Sequence, residues 1–172
     1  MRCARVTYIV IAAGAALWCV LIILPALLKT AGGATGTAEE IVAAIFRPLC
    51  HRLEDRSFHL FGVPLAVCSR CSSIYFGFLA GTLVYPWFTT LDRPAMRGRV
   101  FLVIAVLPML VDVGAGMVGL YDVTNTSRAL TGAWFGVLAP FMVIPGATQA
   151  VDQILATRSE KRIHTEKGLH DA

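Results

Sequence analysis

Three cysteines and a histidine stand within 22 residues of one another: Cys50, His51, Cys68 and Cys71. Their spacing is C-H-x16-C-x2-C. A C-x-x-C pair can turn two thiolates towards one ion at about 2.3 Å, the usual half of a tetrahedral zinc site. Cys50 and His51 complete a Cys3His set, so zinc is the first expectation and another metal the second. Adjacent ligands are sterically awkward, which keeps His59 in reserve and water as a third choice for the fourth position. Ser72 and Ser73 follow Cys71 where an apolar run begins, and suit a helix N-cap. The positive end of such a helix lowers a nearby thiol pKa. Three thiolates on Zn²⁺ leave one negative charge, which Arg52, Arg56 and Arg70 are placed to neutralise. Two other readings fit the same residues: a disulfide in an oxidising compartment, or inert packing. Cys3 and Cys19 stand apart from the cluster and read as small apolar fillers.

A second constellation centres on Asp112, the one acid in the apolar stretch 100–120. An acid in mid-membrane costs about 2.5–3.5 kcal/mol on insertion scales, so it faces a partner or a cavity. Arg128 is the expected partner, with Asn125, Thr131 and Gln149 as polar alternatives. A buried ion pair that fixes helix register, a proton or ion relay, and a ligand site are the three uses of such an acid. The chain has no P-loop, no G-x-S-x-G, no H-E-x-x-H and no dinucleotide fingerprint.

The elements that must position these residues are membrane helices. The chain has 172 residues, is 56% hydrophobic and 15% charged, and has a mean hydropathy of +0.68. Soluble domains run about 45–50% apolar and about 25% charged. Those figures exclude disorder, a nucleic-acid arm and an ordinary soluble enzyme. The net charge of +4 therefore reads as topology and anionic-lipid contact, with no nucleic-acid partner. The fold class expected is all-α, with four transmembrane helices at about 6–28, 72–91, 100–120 and 129–148. The Cys/His loop, 49–71, lies between the first and second. The first run has 23 uncharged residues, longer than the 7–15 of a signal-peptide core, and is read as a retained span. A short amphipathic helix is expected over 38–47, with a capping box from Thr37 to Glu40, Ile41, Ala44 and Ile45 on one face, and Pro48 as its stop. Such a helix suits the membrane surface. Residues 1–157 form one domain, and 158–172 a charged cytoplasmic tail, frayed beyond Thr157. Gly77/Gly81 and Gly132/Gly136 form G-x-x-x-G faces that allow close helix approach, to partner membrane proteins or within the bundle. With four spans both termini share one side, which holds nine of the Lys and Arg residues against six on the other. The positive-inside rule then puts the termini in the cytoplasm and the Cys/His loop on the outer face.

Cys50-His51, Arg56-Ser57-Phe58, Gly62, Pro64 and the run Val67-Cys68-Ser69-Arg70-Cys71-Ser72-Ser73-Ile74-Tyr75-Phe76-Gly77 resemble a known signature. So do Asp112-Val113-Gly114 and the stretch Thr124-Asn125-Thr126-Ser127-Arg128-Ala129-Leu130-Thr131-Gly132. The chain is similar, over roughly 45–136, to a prokaryotic family of small multi-pass membrane proteins catalogued as a domain of unknown function. Ser72-Ser73 stands where that family has Thr-Gly, and Val113 separates Asp112 from its glycine. The resemblance implies a prokaryotic inner membrane and groups Cys50, His51, Cys68 and Cys71 as one site. It carries no activity with it. The function expected is an accessory or scaffold subunit of a larger membrane complex, with a structural metal site, and more a non-enzyme than an enzyme. The alternatives are a thiol–disulfide oxidoreductase using Cys68 and Cys71 with quinone, and a metal carrier or transporter.

Overall fold

A long apolar run with no acid to interrupt it forms the first helix, α1 (Arg2–Thr30). It is followed by α2 (Gly36–Phe46), an antiparallel hairpin of β1 (His59–Leu60) and β2 (Val63–Pro64), and α3 (Ser69–Phe88). The rest is helical: α4 (Arg99–Met117), α5 (Asn125–Leu138) and α6 (Pro140–His170). The computed structural model describes residues 2–30, 36–50, 56–90 and 98–170.

Three helical stretches among the described residues are long and apolar enough to cross a membrane: Cys3–Thr30, Arg99–Met117 and Asn125–Arg158. The helix for the second expected span, α3, is not one of them. Its serines, glycines and Pro86 dilute its apolar content. It tolerates this because it is an inner helix, lying along α5 and also touching α1 and α6. α4 is the opposite case. Val100, Leu102, Val103, Leu107, Leu110 and Val111 all stand on its surface. So large an apolar face is untenable in water and ordinary in lipid.

The last expected span is two helices rather than one. Pro140 offers no N–H to the Gly136 carbonyl, and the helix breaks there. Ala139 keeps helical angles (φ −56°, ψ −40°), so the chain continues in nearly the same sense. The helix also outruns the expected end. Fraying beyond Thr157 is not what the backbone does: α6 continues to His170. The small hairpin is the other departure from an all-α chain. Its two-residue turn puts Phe61 at φ 54° and Gly62 at φ 73°, the left-handed pair that a type I′ turn requires. Phe61 carries steric strain there that glycine does not.

The two G-x-x-x-G motifs meet each other. Gly77 and Gly81 of α3 lie on the backbone of Ala133 and Val137, and Gly132 and Gly136 of α5 lie on that of Arg70 and Ile74. A Cβ on Gly77 would stand 2.8 Å from the Ala133 oxygen, and one on Gly132 2.7 Å from the Arg70 oxygen. On Gly81 and Gly136 it would overlap the carbonyls of Val137 and Ile74. Only residues without a side chain permit this approach.

At one end of the bundle an apolar cluster joins α1, α2 and the loop. Ile22, Val42, Phe46, Leu65, Ala66 and Val67 are buried together, with Trp18 edge-on to Phe46 at 5.0 Å and to Tyr75 at 6.0 Å. Pro25 removes one N–H from the α1 ladder, and in that turn the Ile22 carbonyl accepts from Ala66 N–H at 3.4 Å. α2 turns Val42 and Phe46 inward. The face expected to be its apolar one, Ile41, Ala44 and Ile45, points outward. That places a second apolar stripe on the outside of the helix, as a membrane-surface helix requires.

Candidate functional site

The chain brings Cys50, Cys68 and Cys71 together, with their three sulfurs all within 4.8 Å of one another. Local structure explains each position. α2 ends in a tight turn in which the amides of Leu49 and Cys50 both donate to the Phe46 carbonyl at 2.9 Å, and this turn delivers Cys50. Cys68 is the N-cap of α3. The cap thus falls four residues before Ser72, the cap expected. Cys71 falls on the third helical residue. Side chains at N-cap and N3 meet, as in a capping box, so C-x-x-C here turns both thiols to one point. The Cys68 N–H donates to the Cys50 sulfur at 3.3 Å and ties the two halves of the loop.

All five cysteines are free thiols. The Cys71 thiol donates to the Cys68 sulfur and pulls the Cys68 pKa down to about 5. Burial opposes this, while the Cys71 and Arg70 amides at the helix start and the Cys50 thiol support it. Around a tetrahedral zinc, sulfurs at about 2.3 Å from the ion sit about 3.8 Å apart. The cluster is within about an ångström of that spacing, so small rotations of the thiols suffice to close on an ion. The donor set, three thiols with one already acidic, suits a thiophilic metal. Three cysteines close together can hold a metal ion; which metal is a separate question. His51 lies outside the described residues, as does Arg52. His59, on β1, is exposed and not among the clustered ligands. Cys19 is buried in α1 with its sulfur 3.5 Å from the Tyr75 carbonyl, a packing role, and Cys3 stands at the start of α1.

Beside the cysteines lies the second constellation, in a different pairing from the expected one. Asp112 is buried, and its carboxylate accepts from Arg70 Nη2 and from the Tyr121 hydroxyl. Arg128 is not its partner. The Arg128 guanidinium donates to Asn125 Oδ1 at 3.2 Å, and the same oxygen accepts from Ser69 Oγ at 3.1 Å. Arg70, expected to neutralise thiolates, is turned to Asp112 instead. The end of α4 explains how Tyr121 reaches back. Gly119 takes φ 71°, Leu120 N–H donates to the Ala115 carbonyl at 3.0 Å, and Gly119 N–H to Gly116 at 3.3 Å. This is a Schellman ending, which reverses the chain over the last turn. The hydrogen bond that the Tyr121 hydroxyl donates to Asp112 holds that phenol above its ordinary pKa.

The two stretches that carry the recognised signature are thus one assembly. Ser69 touches Asn125, and Arg70 reaches Asp112 while its carbonyl packs on Gly132. Thr124 caps α5 by accepting from Ser127 N–H at 3.2 Å. Sequence reasoning missed Arg70 and Tyr121 as partners of Asp112. Arg70 is 42 residues away along the chain, and no local spacing relates them.

A family model described as "Predicted membrane protein (DUF2085)" matches residues 50–143, from the first clustered cysteine into α6. The chain is 37% identical over 102 residues to Uncharacterized protein MJ1492 of Methanocaldococcus jannaschii, covering 59% of this chain and 65% of that one. It is 31% identical over 97 residues to an uncharacterized protein of Methanothermobacter thermautotrophicus, covering 56% of this chain and 86% of that one. The chain therefore spans slightly less than two thirds of the length of the first of these relatives. No solved structure matches. With more than half of its length inside the family model, and both constellations within the matched residues, the chain belongs to the DUF2085 family of predicted membrane proteins.

Proposed function

We propose that this chain is a four-span protein of a prokaryotic cytoplasmic membrane in which Cys50, Cys68 and Cys71 hold a structural zinc ion, and that it serves as an accessory or scaffold subunit of a larger assembly. The observation that carries the metal is the convergence of three sulfurs from two separate segments within 4.8 Å. His51 follows Cys50 directly and is the fourth ligand in this reading. The ion would clamp the end of α2 to the start of α3, next to the apolar cluster. Support for a fourth span is the length of α3. Its 20 residues extend about 30 Å, the thickness of the hydrocarbon core. Four crossings put both termini in the cytoplasm by the nine-to-six charge difference, and the cysteines on the outer face. With both G-x-x-x-G motifs packed internally, partner subunits would use the outward apolar faces, such as that of α4.

A second reading has one specific observation in its favour. An apolar groove of about 490 Å³ runs between α1, α3, α5 and α6 and is walled by Gly14, Trp18, Tyr75, Phe78 and Phe135 among others. Trp18 and Tyr75 also pack beside the cysteine cluster. Such a groove suits the tail of an isoprenoid quinone. Cys68 and Cys71 would then lose two electrons and two protons to the quinone as their disulfide forms.

Elemental mass spectrometry on detergent-purified protein, with thiols titrated on the same sample, separates the readings. About one zinc per chain, with thiols that react only after chelation and denaturation, is the expected result. Zinc lost on simple dialysis favours a metal carrier. No metal and a reducible Cys68–Cys71 disulfide refutes the structural site and favours the redox enzyme.

A further inference from the structure

The end of the bundle that holds the cysteines has a second cavity, of about 530 Å³, with a polar wall. Three guanidiniums from three separate segments line it: Arg56 ahead of the hairpin, Arg70 in the first turn of α3, and Arg128 in the first turn of α5. Tyr121 and Asp122 line it from the loop after α4. The N-termini of α3 and α5, both carrying partial positive charge, are at this end. Arg70 reaches Asp112 with Nη2, but its Nε is buried without a hydrogen-bond partner.

A buried donor left unpaired is costly. Asp112 takes Arg70 Nη2 and leaves Nε open at this cavity. We propose that this cavity binds a phosphate group, held between Arg56, Arg70 and Arg128. The guanidinium fork matches phosphate oxygens in pairs, and helix N-termini favour the same charge. The volume lies in the range of small-ligand sites, about 300–1,000 Å³, and exceeds what a bare phosphate fills. A phosphate carried on a larger group therefore fits best, either a phospholipid headgroup or a soluble phosphate ester. Tyr121 and the Asp122 carboxylate are placed to meet the polar remainder of that group. The site does not depend on the metal, since none of its side chains is a cysteine.

The test uses full-length protein, purified in detergent and stripped of lipid. It is titrated with inorganic phosphate against chloride at matched ionic strength. Separately it is titrated with phosphatidylglycerol in mixed micelles against diacylglycerol. The readout is the ligand-dependent rise in unfolding temperature, relative to each sample's own ligand-free value, with native mass spectrometry for bound lipid. A saturable response is expected, weakened roughly tenfold or more in Arg128→Gln and in Arg56→Gln and partly recovered in Arg128→Lys. Both variants leave the Arg70–Asp112 pair in place, so the cavity survives if either folds. A response to phosphatidylglycerol alone identifies the headgroup as the source, and a response to inorganic phosphate identifies a soluble one. No saturable response to either ligand, or a response that both Gln variants keep in full, overturns the proposal.

Discussion

Replacing Gly136 by alanine places a methyl group on the Ile74 carbonyl of the facing helix. The neighbour is backbone, not the end of a flexible side chain, so the overlap is relieved only by moving α3 away from α5. Overpacking of this kind costs about 1–3 kcal/mol, equivalent to about a 5- to 150-fold fall in the ratio of folded to unfolded protein. Gly81→Ala meets the Val137 carbonyl and belongs to the same class. Because both act on one interface, the double variant costs less than the sum, since the helices separate only once. Gly14 and Gly146 are the controls: a Cβ at either meets nothing within 4 Å. Alanine there is neutral, or stabilising by up to about 1 kcal/mol through the lost freedom of glycine. The assay is titration with SDS in mixed micelles, followed by tryptophan fluorescence from Trp134 on α5 and Trp18 on α1. A Gly136→Ala midpoint equal to that of Gly146→Ala would refute the reasoning. It would mean that the close α3–α5 contact does not hold the bundle together.

Asp112→Asn leaves the Arg70 guanidinium without its carboxylate. Breaking a buried pair costs about 3–5 kcal/mol, and the Arg70 side chain keeps 20% of its surface exposed, which puts the expected loss at the low end; Arg128→Gln should cost far less in the same SDS titration. In metal-free protein, alkylation of Cys68 by iodoacetamide should follow a thiolate that forms with a midpoint near pH 5 rather than near the ordinary 9.0, so its rate should be close to its plateau by neutral pH. A midpoint above pH 8, followed by peptide mass mapping, would show that the Cys71 thiol does not donate to Cys68. Phe61→Asn relieves a left-handed strain of about 1 kcal/mol at a side chain that is 66% exposed, and should raise stability by up to that amount. A loss of stability in bilayers but not in detergent would show that the Phe61 ring is held by lipid.

The sequence by itself determined the membrane class, the grouping of the three cysteines and the presence of a buried acid that needed a partner. Composition averages over the whole chain, and a ligand pair two residues apart lies within one turn of backbone, so neither depends on how distant segments meet. The position of α3 as an inner helix, the fit of one G-x-x-x-G motif onto the other, and the pairing of Asp112 with Arg70 and Tyr121 were decided only by tertiary structure. A glycine pair marks a surface that permits close approach, but any helix can supply the other side. Arg128 stood nearer to Asp112 along the chain, and Arg70 won because α5 packs against both α3, at Gly132, and α4, which brings the long Arg70 side chain within reach of Asp112. The outward apolar stripe of α2 shows the same limit. Periodicity found the face with Ile41 and Ile45, but both faces of that short helix are apolar, and only the docking of Val42 and Phe46 near Ile22 settled which one turns inward.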